Sequence, residues 1–86
     1  MAPTSANIAG FKKKLGERIR TRRTSIALSQ VELSERCGIA CSYLSRIENG
    51  LGNPSLTVLV ALAMTLKLLP VELLEARPDS RLLGDK

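Results

Sequence analysis

Residues 29–50 read SQVELSERCGIACSYLSRIENG. Ser29 followed by Glu32 is a capping box, in which a hydroxyl and a carboxylate satisfy the first amides of a helix, so a helix is predicted to start here. Gly38 suits the left-handed conformation that ends a helix, and Gly50 provides the end of a second one. Only two or three residues separate the two short helices. This short, glycine-containing turn is typical of a helix-turn-helix, whose helices cross at about 90–120°.

The residues on either side of this stretch complete an all-helical pattern. Apolar residues recur at intervals of three and four positions at Ile8, Phe11, Leu15 and Ile19. They predict a first helix over about 8–24. Helix-start signals then predict a fourth helix over about 56–67 and a fifth over about 71–76. No strand-like alternation occurs, so the predicted fold class is all-α with five helices.

Length and composition fit one small domain. The chain has 86 residues, of which 44% are hydrophobic, and only one Phe and one Tyr. A single core of aliphatic side chains is expected for a chain of this size. We place the domain at 8–76 and interpret 1–7 and 77–86 as flexible tails.

The net charge of +5 lies entirely in the first half of the chain. Residues 1–49 hold nine basic and four acidic groups, whereas 50–86 hold four of each. Seven of the basic groups fall within 12–23. This asymmetry indicates a polyanionic partner for the first half, although a solvated basic helix face would show the same pattern.

Residue content also argues against several functions. The chain has no histidine, which excludes histidine-based catalysis and histidine-containing metal sites. Two cysteines, Cys37 and Cys41, cannot form a four-cysteine zinc site and lack the spacing of a redox pair, so we expect reduced thiols. No cofactor, secretory signal or membrane span is expected, and the predicted location is the cytoplasm, on the nucleoid.

The residues around the two short helices resemble those of the Cro/C1-type helix-turn-helix regulators, also called the XRE family. The resemblance covers 15–74. Its residues are Leu15-Gly16-Glu17-Arg18-Ile19-Arg20, Leu28-Ser29-Gln30, Leu33, Cys37-Gly38-Ile39, Leu44-Ser45-Arg46-Ile47-Glu48-Asn49-Gly50, Asn53-Pro54-Ser55-Leu56, Leu62-Ala63 and Leu66. It implies a five-helix, lambda-repressor-like DNA-binding domain whose third helix lies in the major groove of double-stranded DNA.

The family positions that reach base edges correspond here to three residues of the third helix, Cys41, Ser42 and Arg46, and Tyr43 lies beside them as a fourth candidate for base contact. Arg46 is the strongest candidate because a guanidinium can pair with O6 and N7 of guanine, although a phosphate contact or an ion pair would also use it. Tyr43 could contact a thymine methyl or a phosphate, or its ring could cover the edge of the core. Ala40 stands where the family usually has a capping Ser or Thr, which removes about 1 kcal/mol of local stabilisation.

The resemblance also implies phosphate contacts and one structural ion pair. The predicted phosphate contacts are Lys13, Arg20, Ser29, Gln30 and Asn49. Gln30 could instead be a solvated helix start, and Asn49 is also a helix terminator. Arg23 and Glu48 correspond to a family pair that ties helix 1 to the end of helix 3.

An excess of apolar residues in the last two helices predicts a homodimer. Nine of the eleven residues in 56–66 are apolar, and a helix that is apolar on all sides must be buried on all sides. Spacing assigns Leu56, Leu59, Leu62, Ala63 and Leu66 to the core. The predicted interface consists of Val58, Ala61, Met64, Leu69, Val71 and Leu74, on helices that the family also uses for dimerisation.

The missing histidine and the resemblance to DNA-binding regulators predict a protein that is not an enzyme. We expect a sequence-specific transcriptional regulator, a repressor that binds a near-palindromic operator as a homodimer. The alternative is an antitoxin, in which the apolar surface binds a toxin or another protein and the chain regulates its own operon. A single Phe and a single Tyr provide no stacking platform for RNA.

Overall fold

The computed structural model describes residues 4–74, and every regular element within that range is an α-helix. The helices are α1 (Ser5–Ser25), α2 (Gln30–Cys37), α3 (Cys41–Glu48), α4 (Leu56–Thr65) and α5 (Pro70–Leu74). The predicted all-α fold with five helices is thus confirmed. The predicted tail at 77–86 and the last residues expected for α5 lie outside the described range. None of the helices described is long and apolar enough to cross a membrane.

Helix α1 begins three residues earlier than the sequence pattern indicated. Thr4 and Asn7 form a capping box: the Asn7 amide donates to Thr4 Oγ1 at 3.1 Å, and the Thr4 amide donates to Asn7 Oδ1 at 3.2 Å. This box fixes the helix start and places 5–7, expected in a tail, within α1. The first buried residue of α1 is Leu15, so its first ten residues extend beyond the core. Ile8 and Phe11, on the predicted stripe, are therefore exposed.

All five helices contribute to one aliphatic core. Its buried residues are Leu15, Ile19, Leu33, Leu44, Ile47, Leu62, Ala63, Leu66 and Leu73. The assignment of Leu56 to the core was wrong, because its side chain is 71% exposed at the first position of α4. Leu59 is half-buried against the core. Helical spacing identified the inward face of α4 but not how far the core extends along it.

A glycine lets α1 and α3 approach each other closely. A Cβ built on Gly16 would meet the carbonyl oxygen of Ile47 and would lie 2.6 Å from the carbonyl oxygen of Glu48. These are backbone atoms at the C-terminal end of α3, so they cannot move aside as a flexible side chain would. The contact sets the distance between the scaffold helix α1 and the third helix of the predicted reading unit.

The Glu48 carboxylate joins three helices at the end of α3. Arg23 of α1 donates from Nε to Glu48 Oε2 at 2.7 Å and from Nη2 to Oε1 at 3.0 Å. Gln30 of α2 donates from Nε2 to Oε1 at 2.9 Å, and Arg23 Nη1 donates to the Leu28 carbonyl at 2.9 Å. The hydrogen bond to Glu48 raises the pKa of Arg23. Because the Glu48 side chain is only 1% exposed, these donors replace the water that a carboxylate needs.

The predicted cap of α2 forms in the structure. The Glu32 amide donates to Ser29 Oγ at 3.0 Å, and the Ser29 amide donates to Glu32 Oε1 at 2.9 Å. The backbone hydrogen bond from Ser29 lowers the pKa of Glu32, because an amide donor favours the ionised carboxylate. Gly38 then adopts φ 70° and closes α2, as predicted.

Replacing Gly16 by alanine should destabilise the domain, because its Cβ would force α1 away from the end of α3. We expect a loss of about 2–4 kcal/mol in the free energy of unfolding, measured by urea denaturation. Gly10→Ala is the matched control on the same helix, since a Cβ there meets nothing within 4 Å. This control should be neutral or stabilising by up to about 1 kcal/mol. Equal stabilities for the two variants would contradict the close contact.

Replacing Glu48 by glutamine should cost about 3 kcal/mol of unfolding free energy, because it leaves the Arg23 guanidinium without its buried counter-charge. The same substitution at Glu35, which is exposed on α2, is the control and should change stability by less than about 0.5 kcal/mol. Denaturation of both variants at neutral pH provides the comparison. A similar small loss in both would mean that the pair contributes no more than a surface salt bridge.

Candidate nucleic-acid interface

Helices α2 and α3 form a rigid unit with an outward arc on α3. The Ile39 amide donates to the Ser34 carbonyl at 3.0 Å, which fixes the turn between the two helices. On α3 the buried residues are Leu44, Ile47 and Glu48. Ser42 and Arg46 lie on the opposite side of α3 from these residues, and Cys41 and Tyr43 lie at the flanks.

The four residues predicted to contact bases differ in their exposure to solvent. Ser42 and Arg46 are exposed, whereas Cys41 and Tyr43 are half-buried. The Tyr43 ring packs against the core, in agreement with the alternative that it covers the core edge. Its hydroxyl donates to the Asn53 carbonyl at 3.4 Å. We call Cys41, Ser42, Tyr43 and Arg46 the recognition arc.

The loop between α3 and α4 supplies hydrogen-bond acceptors to this region, which sequence reasoning missed. Arg46 donates from Nη2 to the Leu51 carbonyl at 3.3 Å, and the loop also supplies the acceptor for Tyr43. These acceptors are main-chain oxygens, so no side-chain type in the sequence signals them. Gly52, which lies between the two carbonyl groups and is buried, is the residue in the sequence that could have indicated this close contact.

The N-terminus of α3 has no side-chain cap. Ala40 occupies the N-cap position with φ −68° and ψ 142°, and it makes no side-chain hydrogen bond to the helix. Backbone bonds hold the first turn instead, with the Tyr43 and Leu44 amides donating to the Ala40 carbonyl at 3.1 Å. The Cys41 and Ser42 amides precede these bonds, so helix geometry directs them out of the helix start, where an anion can bind them.

The predicted phosphate contacts on α2 and at the end of α3 also have structural roles. Gln30 uses one amide N–H to reach Glu48 and braces α3, while its second N–H is available to a ligand. Ser29 caps α2. Asn49 is the exposed C-cap of α3 and follows directly on the buried Glu48.

The basic residues of α1 divide between two faces of the helix. A Cβ on Gly50 would lie 3.0 Å from Lys13 Cα, so Lys13 adjoins the end of α3. Arg20 is exposed, and helical spacing places it on the same face as Gly16 and Arg23. The two phosphate contacts predicted on α1 therefore lie on the side that carries α3.

Three further cations of α1 line a groove on its opposite side. The groove has a volume of about 450 Å³ and is lined by Lys14, Glu17, Arg18, Thr21, Arg22, Ser25, Leu68 and Glu72. Arg22 also donates from Nε to the Leu66 carbonyl at 2.8 Å, at the C-terminal end of α4. The basic cluster at 12–23 therefore is not one continuous surface, contrary to the simplest interpretation of the charge pattern.

Four of the six predicted interface residues are exposed, on α4, α5 and the intervening turn. Met64, Leu69 and Val71 are 70%, 64% and 66% exposed, and Leu74 is also exposed. We call these four residues the apolar face. The remaining predicted interface residues, Val58 and Ala61, are half-buried in the domain itself.

Neither cysteine indicates a metal or disulfide site in the range 4–74. Cys37 packs against the core, with Sγ 3.5 Å from Thr65 Oγ1. Cys37 and Cys41 are both free thiols. Among these residues no group of three or more His, Cys, Asp or Glu side chains could hold a metal ion.

Comparison with known proteins gives a consistent set of relatives. The profile of a helix-turn-helix family matches residues 19–74. The immunity repressor protein of Bacillus phage phi105 is 43% identical over 49 residues, which cover 57% of this chain and 34% of that protein. This chain thus spans little more than a third of the length of the curated relatives that it matches.

Two solved structures resemble this chain over nearly their whole length. The restriction-modification controller protein C.AhdI from Aeromonas hydrophila superposes with a TM-score of 0.70 and 39% identity, over 72% of this chain and 94% of that one. SinR from Bacillus subtilis, a master regulator for biofilm formation solved in complex with DNA, superposes with a TM-score of 0.68 and 39% identity, over 71% and 98%. Together with the match over 19–74, these likenesses show that the chain belongs to the Cro/C1-type helix-turn-helix family.

Proposed function

We propose that this protein is a sequence-specific transcriptional regulator that binds double-stranded DNA and represses transcription as a homodimer on a near-palindromic operator. The observation that carries the proposal is the recognition arc: an outward strip of α3, with Arg46 and Ser42 exposed, on a helix that is held from behind by Leu44, Ile47 and Glu48. A rigid helix with exposed polar groups on one arc can enter the major groove and contact base edges.

Groups suited to phosphates flank this arc. Lys13, Arg20 and Asn49 are exposed beside α3, and α3 begins without a side-chain cap, so helix geometry directs the amides of Cys41 and Ser42 outward. Phosphate contacts fix the position of a protein on the duplex, whereas base contacts select the sequence. The SinR structure with DNA supports duplex DNA as the ligand of this fold, and the phi105 protein supports repression as the outcome.

The apolar face supports the dimer. Met64, Leu69 and Val71 lie within eight residues of chain and are each more than 60% exposed, and apolar residues exposed together mark protein contact sites. A twofold axis through this face would cover it and place two α3 helices about 34 Å apart, which is one turn of the duplex. The regulator would act in the cytoplasm, on the nucleoid, and without enzymatic chemistry. A toxin on the same face would make the chain an antitoxin instead.

Selection of bound sequences from a random duplex pool tests the proposal directly. We expect a near-palindromic consensus with two half-sites. Binding that shows no sequence preference in the selected pool, at any salt concentration, would contradict the proposed regulator.

Arg46→Ala should lower affinity for the selected operator by about 1–3 kcal/mol and relax preference at one base pair of each half-site. Lys13→Ala should weaken binding to all sequences equally and reduce the slope of log K against log salt by about one. Fluorescence anisotropy on operator and scrambled duplexes measures both effects. Lys14→Ala is the matched control, because Lys14 lines the groove on the opposite side of α1 and should leave the slope unchanged.

Leu69→Glu should convert a dimer into a monomer, because it places a charge in the centre of the proposed interface. Sedimentation velocity measures the change, and operator affinity should fall with it because a single half-site binds weakly. Ile8→Glu, an exposed apolar residue on α1, is the control and should remain dimeric. A wild-type chain that stays monomeric at every concentration would contradict the homodimer and favour a different protein, such as a toxin, on the apolar face.

A further inference from the structure

The loop at 49–53 returns along α3 instead of leaving it, and both of its sides are in contact with helices. The amides of Leu51 and Gly52 donate to the Arg46 carbonyl at 2.8 and 3.0 Å. Gly50 has φ 78°, and a Cβ there would lie 3.0 Å from Lys13 Cα on α1. We call 49–53 the bracing loop.

Gly52 makes the closest contact between this loop and α3. A Cβ built on Gly52 would lie 2.7 Å from Ile47 Cγ1 and 3.0 Å from the Ile47 amide nitrogen. Real Cβ atoms essentially never lie 2.7 Å from another heavy atom, so any larger residue would force the loop and the buried Ile47 apart. Gly52 therefore sets the position of the carbonyl groups on either side of it.

Those two carbonyl groups each hold one side chain of the recognition arc. The Leu51 carbonyl accepts from Arg46 Nη2 at 3.3 Å, and the Asn53 carbonyl accepts from Tyr43 Oη at 3.4 Å. Tyr43 and Arg46 lie three residues apart, on adjacent turns of the same arc. Both hydrogen bonds are long, so they bias each side chain toward one conformation without locking it. Arg46 engages one of its five N–H donors in this way, which leaves the others for a ligand.

We propose that Gly52 is a positioning residue for sequence selection: it holds the bracing loop so that two main-chain carbonyls orient Arg46 and Tyr43 for base contact. The inference rests on the proposed function, in which α3 reads bases. A long side chain loses conformational freedom when it binds, and one that is oriented beforehand loses less. The gain applies only to duplexes that offer a base partner in the right place. The loop thus affects selectivity without contacting a base.

Gly52→Ala tests this inference. It replaces none of the residues that are candidates for base or phosphate contact. We expect the ratio of scrambled-duplex to operator Kd to fall by about tenfold, while Kd for the scrambled duplex changes by less than about twofold. Gly10→Ala, where a Cβ meets nothing within 4 Å, is the matched control and should change neither value. Circular dichroism melts verify that each variant is folded at the assay temperature.

The effect should act through Arg46. In an Arg46→Ala background, Gly52→Ala should change the Kd ratio by less than about threefold, because the main side chain that it orients is absent. Full additivity of the two substitutions would overturn the inference, as would an equal loss of affinity for operator and scrambled duplex, since the latter indicates a phosphate contact by the loop. A wild-type chain without any sequence preference would instead contradict the proposed function.

A measurement on the wild-type chain covers the case in which Gly52→Ala does not fold. Side-chain ¹⁵N relaxation of the free protein should show Arg46 Nε more restricted than Nε of Arg20, which is exposed on α1. Tyr43→Phe removes one tether but keeps the ring, so it should leave the core intact and lower the Kd ratio by about two- to fivefold. Equal mobility of the two arginines would overturn the inference.

Discussion

The buried carboxylate of Glu48 is the interaction on which the arrangement of the domain depends. It receives donors from Arg23 on α1 and Gln30 on α2 while it belongs to α3, so one charged group fixes the relative positions of three helices. Hydrophobic contacts alone would allow α3 to slide or rotate by small amounts, because they have no direction. A bidentate ion pair does have direction. The closeness of α1 to α3 at Gly16 then leaves little room for alternative packing.

Local signals in the sequence predicted the elements, and their limits follow from the same physics. The Ser29–Glu32 box and Gly38 act within one turn of chain, so their effect could be read without tertiary information. The start of α1 was missed because Asn7 closes the box in place of the usual Glu or Gln. Leu56 was misassigned because periodicity defines a face of a helix but not the length that the core covers. The contacts at Gly16 and Gly52 depend on residues more than one turn away, and Gly16 approaches α3 from a distant part of the chain.

The site shows the same division between local and tertiary information. The exposed positions of Ser42 and Arg46 follow from helical geometry once Leu44 and Ile47 are placed inside. The basic cluster at 12–23 was harder to interpret, since Lys13 and Lys14 are neighbours in sequence but lie on different sides of α1. Composition reports the total charge of a segment. Only the packing of α1 against α3 and α5 shows which part of that charge can act together.

The residues that maintain the fold are separate from the exposed residues of the recognition arc, and this separation has an evolutionary consequence. Glu48, Gly16 and the buried leucines maintain the fold, whereas Ser42 and Arg46 project from it and bury no surface in the core. Substitutions at those two exposed positions can therefore accumulate at little cost to folding. If α3 reads bases, a lineage of such domains could acquire new target sites by drift and selection at a few positions while its scaffold stays constant. Tyr43 is less free to vary, because its ring also belongs to the packed edge of the core.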